Sequence, residues 1–138
     1  MKMLRRMSIT DLMAAIQEQI REDTGLPCYD SVPANAESPF YYMSYAGSQP
    51  ADTKTMFVDR HTVDIHVIAD VSPSSVPVFR YIQALEQAMT EDVTIPKEYK
   101  LVRQSSGGVR TIQDDESGEK HAVMSFTFLI SYGYKVKI

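Results

Sequence analysis

A single cysteine among 138 residues excludes an internal disulfide, and Cys28 lacks the partner thiols and histidines that a zinc site needs. Long hydrophobic runs are missing as well. No segment approaches the roughly 18 consecutive apolar residues of a membrane-spanning helix. The basic start, MKMLRRM, leads into no apolar stretch of signal-peptide length and no small-residue cleavage pattern. Synthesis in the cytoplasm is therefore expected, with residues 1–7 as a flexible leader and no membrane partner. Positive charge is not in excess: 14 Lys and Arg stand against 18 Asp and Glu, and the formal charge of −4 offers no general attraction to nucleic acid or anionic lipid. What is present, 43% hydrophobic and 23% charged residues, is the composition of a folded protein, and the length fits one domain, 1–138.

Ser8 is placed to cap a helix whose first turn carries Asp11, and Ile9, Leu12, Met13, Ile16 and Ile20 then recur at three- and four-residue spacing. Gly25 accepts the left-handed conformation that closes a helix, and Pro27 blocks continuation. The prolines 27 and 33 bound a short strand with the character of a sheet edge, and an aromatic strand follows from Phe40 to Tyr45. Residues 47–56, rich in turn formers, read as a long mobile loop. From Phe57 to Ala69 the pattern alternates, with Val63, Ile65 and Val67 on one side and Thr62, Asp64, His66 and Ile68 on the other. A second helix carries the stripe Val78, Ile82, Leu85 and Met89, widened by Phe79. Two strands close the chain, Lys100 to Gln113 with a glycine kink at Gly107-Gly108, and His121 to Tyr134, joined by the acidic turn 114–119. The order α-β-β-β-α-β-β predicts an α+β fold, an antiparallel sheet with both helices packed on one face.

The chemistry is sparse. His61 and His66 are an odd number of residues apart in one strand and point to opposite faces, so they do not share a metal. Asp64 and His66 do share a face, which keeps open a small-molecule-binding or catalytic domain built on that pair, although no nucleophile motif accompanies it. Cys28 reads as a small buried apolar side chain. The acidic run Asp114, Asp115, Glu116 and Glu119 lacks the ligand spacing of a calcium loop, and Ser105-Ser106-Gly107-Gly108 is no phosphate-binding motif. The aromatic strand, read as a base-stacking platform, lacks accompanying basic residues. No metal, cofactor or catalytic residue is assigned. The sheet face bearing Asp64, His66, Ser125, Thr127 and Ser131 is interrupted by Ile68, Val123 and Leu129, a mixed surface suited to a subunit contact.

The phrases AAIQEQIREDTGLPCYDSVPANAESPFYYMSY, DTKT, VDIHVIAD, RYIQALEQAM and HAVMSFTFLISY, in that order, resemble the small tail-completion proteins of long-tailed bacteriophages and prophages, the tail terminator and tail-to-head joining proteins. The resemblance runs from about Asp11 to Tyr134 and includes no catalytic motif. It implies a non-enzymatic virion protein, made in the cytoplasm of a bacterial host. Copies would assemble into a ring, typically a hexamer, at the head-proximal end of the tail. The implied partners are other copies of the chain, the tail-tube protein and the head-connector proteins, with DNA passing through the lumen without specific binding and no cofactor. The segment between the second and third strands matches the family's extended loop. The expected protein contacts are Gln49, Asp52 and Lys54 there, and Asp64, His66, Thr127 and Leu129 on the mixed sheet face.

Overall fold

The computed structural model describes residues 4–135. Its elements are α1 (Ile9–Thr24), β1 (Cys28–Tyr29), β2 (Phe40–Pro50), β3 (Met56–Ile68), α2 (Val76–Ala88), β4 (Lys100–Asp114) and β5 (Lys120–Tyr134). The strands form one sheet in the order β1-β2-β3-β5-β4. The α+β order is the one the sequence predicts. Every pairing is antiparallel except β1 with β2, which is parallel, so the sheet is mixed rather than wholly antiparallel.

Local chemistry explains both ends of α1. The Ser8 hydroxyl accepts the Thr10 N–H at 3.1 Å, and Gly25, at φ 73°, donates its N–H to the Arg21 carbonyl. Leu12, Ile16 and Ile20 are fully buried against the sheet, whereas Ile9 at the first turn is 45% exposed. In α2, Val78, Ile82, Leu85 and Met89 are buried as the stripe predicts. Phe79 does not join them: it is 54% exposed, because α2 leaves its flank toward β4 uncovered.

Both helices lie on one face of the sheet, α1 over β1 and β2, α2 over β3 and β5. Between the layers, Tyr41, Met43, Val63, Ile65 and Val67 meet Ala122, Met124, Phe126, Phe128 and Ile130 from β5. The strict alternation of β5 follows from this one-sided burial. Gln104 ties α2 to the edge strand: its amide donates to the carbonyls of Met89 and Glu91 and its oxygen accepts the Val93 N–H. Gln104→Ala leaves these groups without partners. It is expected to cost about 1–3 kcal/mol, read as a lower urea midpoint at unchanged m-value.

Two segments depart from expectation. Residues 47–50 belong to β2, not to a loop. β2 pairs with β3 as far as Pro50 opposite Asp59, across a bulge between Tyr45 and Gly47, so the connection proper spans only residues 51–55. Backbone pairing continues there because polar and glycine residues still hydrogen-bond in a solvent-exposed hairpin. The leader is the second. Residues 1–3 lie outside the described residues, but Met7 is buried in the core, Arg6 Nε donates to Asp59 Oδ2 at 2.8 Å, and Leu4 lies against Gly133. Residues 4–7 are packed on the fold.

Candidate functional site

The helix-free face of the sheet gathers side chains from four strands. Cross-strand register places Tyr42 beside His66 and His66 beside Val123, and sets Asp64 between Ser44 and Ser125. The ring of Tyr42 stacks on His66 at a 4.1 Å centroid distance with planes 4° apart. His66 Nδ1 lies 2.9 Å from Nε2 of His121, one strand away on the diagonal, so one imidazole donates and the other accepts. His121 Nδ1 is 3.9 Å from Asp115.

Asp64 does not orient the imidazole. Its Oδ2 accepts from Arg110 Nη1 at 2.9 Å, and its buried Oδ1 has no partner among the described residues. The two groups that share a face in β3 are thus claimed by different neighbours, Arg110 of β4 and His121 of β5. A cavity of about 220 Å³ lies between Asp64, His66, Arg110, Thr111 and Val123, and no nucleophilic serine or cysteine lines it. Among the described residues no group of three or more His, Cys, Asp and Glu is placed to hold a metal ion.

The contact residues expected from the sequence fall in two places. Gln49, Asp52 and Lys54 are exposed at the end of the β2–β3 hairpin. Asp52 also has a structural task there, its Oδ1 accepting the Val58 N–H at 2.8 Å. Asp64, His66, Thr127 and Leu129 lie half-buried on the helix-free face. Tyr42, Arg110 and His121 are the members that sequence reasoning missed. Parity within the strand puts Tyr42 and His121 on this face, whereas the irregularity between Val109 and Thr111 breaks the alternation at Arg110, and only the register sets each beside Asp64 or His66.

His61 points the other way, into the helix side, as its odd spacing from His66 requires. Its Nδ1 lies 2.7 Å from the Tyr45 hydroxyl. Burial lowers the pKa of His61 from 6.5 against the opposing pull of Asp59. It lowers that of His66 too, assisted by His121 and Arg110 and opposed by Asp64. Since both folded-state values lie below the unfolded one, the unfolded chain binds more protons on acidification. The stability from these neutral histidines is complete above pH 6.5 and is lost as pH falls through the lowered values. Urea midpoints should therefore fall between about pH 7.5 and 5.5, and His66→Gln should reduce the fall. A midpoint that rises on acidification would contradict the neutral pair.

Cys28 is fully buried and its thiol is pushed up to about 12 by desolvation, which leaves it inert near neutral pH, a small apolar core residue. The edges of the sheet are more distinctive. Among the described residues β4 has a partner on one side only along its whole length, and β2 is covered by β1 only at Tyr41 and Tyr42. Open edges of this length present unpaired backbone N–H and C=O groups to which another chain can add.

Comparison with known proteins decides the family. The family model Phage_tail_terminator_4, described as "Putative tail termination protein", matches residues 3–138. The chain belongs to this phage tail-termination family. Among solved structures, a chain from the "Virion of native gene transfer agent (GTA) particle" is similar in fold, with a TM-score of 0.66 and 20% sequence identity over 88% of this chain and 96% of that one. No curated protein matches in sequence. The helix-free face and the open edges are therefore surfaces of a phage tail protein.

Proposed function

We propose that this member of the tail-termination family is a structural virion protein of a long-tailed phage or prophage, acting without catalysis. Copies close into a ring, a hexamer, at the head-proximal end of the tail and join it to the head connector. The observation that carries this reading is the pair of open strand edges at opposite ends of one sheet, β4 and the distal part of β2. A ring needs two different surfaces of one protomer that meet and whose rotation closes, and two distinct edges supply them. The exposed β2–β3 hairpin end, with Gln49, Asp52 and Lys54, reaches toward the tail-tube or connector proteins, and Asp64, His66, Thr127 and Leu129 lie on the sheet face open to contact. DNA passes through the lumen without specific binding. The charged groups of the helix-free face include Arg60, Lys100, Arg103 and Arg110 with Asp64, and contacts from such groups to phosphates carry no sequence information.

The test is assembly. Purified tail tubes or immature tails incubated with labelled protein are expected to gain it at the head-proximal end, seen by immunogold electron microscopy, and a lysate lacking it should hold full heads beside separate or overlong tails. Label confined to the distal tip would refute the proposal. Asp64 and His66 do not form an acid-oriented imidazole, because their hydrogen bonds go to Arg110 and His121 instead of to each other.

A further inference from the structure

The two ends of the sheet differ in charge. Residues 9–39, which make up α1, β1 and the loop into β2, carry six exposed acids, Asp11, Glu18, Glu22, Asp23, Asp30 and Glu37, against one base, Arg21. At the opposite end β4 from Lys100 to Arg110 carries three bases, Lys100, Arg103 and Arg110, and no acid, while Asp114 and the turn beyond it, with Asp115, Glu116 and Glu119, are acidic. A chain of net charge −4 thus has an acidic flank and a cationic edge, separated by the width of the sheet.

Each end also has apolar surface without cover. On the acidic flank, Ile9 and the half-buried Met13 of α1 line a groove of about 410 Å³ that is floored by the buried Met43 of β2 and also holds Asp30. On the cationic edge, Val109 and Ile112 are each 43% exposed. Both face the helix side, since they lie opposite Met124 and Ala122 of the core. Phe79 of α2 is exposed as well. α2 turns its Tyr81 and Ala88 carbonyls toward Tyr41 and Gln19 on the α1 side, and Phe79, two residues from Tyr81 and so about 200° round the helix, lies on the β4 side.

The heights match. Register runs from Met43 to Ile65, to Met124 and to Val109, so the groove and the apolar part of β4 stand at one level across the sheet. Tyr41, Val67, Ala122 and Ile112 form the next level on the same face. A neighbour related by rotation about an axis near the strand direction would bring one end level with the other. We infer that the groove of Ile9, Met13 and Met43 is the seat of a second copy's cationic edge, with Val109, Ile112 and Phe79 as the inserted apolar groups. The inference rests on the ring reading above and names its contact: opposite charges steer the two ends together, and the apolar groups lose their exposure.

A disulfide tests it in the full-length protein with Ile9→Cys and Val109→Cys combined. Within one chain these positions are held apart by at least the three strand spacings from β2 to β4, about 14 Å, too far for a disulfide. Any bond between them joins two chains, and the buried native Cys28 does not compete. Oxidation after assembly is expected to produce a ladder of covalent multimers up to the closed ring, which neither single variant produces. As a second measurement, Ile112→Glu at an exposed site should leave the melting temperature unchanged and raise the concentration needed for assembly by at least about tenfold. Rings that form without the ladder, or that tolerate Ile112→Glu, overturn the seat and leave the ring reading standing. Protein that stays monomeric both in solution and on tails overturns both.

Discussion

Replacing Phe128 by alanine is expected to lower the unfolding free energy by about 3–5 kcal/mol, the usual cost of deleting a buried aromatic ring. Phe128 is fully buried in the middle of β5, between His61 of β3 and Gln104 of β4, on the face that α2 covers. Domains of this size are stable by about 5–15 kcal/mol, so the loss removes a large part of the total. The adjacent Thr127→Ala, on the helix-free face, should stay within about 0.5 kcal/mol of wild type. Urea unfolding of both variants gives the contrast, and equal costs at the two positions would show that β5 does not divide its faces in this way.

Removal of residues 1–7 is expected to cost about 3–5 kcal/mol, where loss of a free leader would cost nothing. Met7 is 5% exposed within the core, and deleting a buried methionine side chain costs about 2–5 kcal/mol. The truncation also strips Asp59, whose side chain is 8% exposed, of its pairing with Arg6. Arg6 is itself 61% exposed and stacks at 5.0 Å over Tyr132, so solvent screens the pair and its share is about 1 kcal/mol or less. Met7→Ala alone should therefore reproduce most of the loss and Arg6→Ala little of it. A truncated chain that melts with the full-length protein would remove the case for a docked segment.

Much of the fold was legible along the chain. Ser8 and Gly25 mark the ends of α1, the 3.6-residue stripes mark both helices, and the two-residue alternation from His121 to Ile130 marks β5. In each case neighbouring residues report which side is buried. Phe79 shows where that reasoning stops. Its spacing fits an apolar stripe, yet whether anything covers that flank depends on where the second helix sits over the sheet. Gly47 to Pro50 likewise read as turn formers, and only their hydrogen bonds to β3 make them strand.

The candidate site was legible by half. Parity put Asp64 and His66 on one face and His61 on the other, and the structure agrees. That His66 meets His121, and Asp64 meets Arg110, depends on the register between strands some fifty residues apart, and no local pattern encodes it. The chain by itself determined the order of its elements, most of the faces they bury and the family to which it belongs, because periodicity, caps and recurring phrases are properties of adjacent residues. The tertiary structure alone decided the parallel pairing of β1, the docking of Leu4 to Met7, and the placing of an acidic flank and a cationic edge at opposite ends of one sheet. Those are long-range outcomes, set by which distant strands exchange hydrogen bonds and by which apolar surfaces remain when the core has closed.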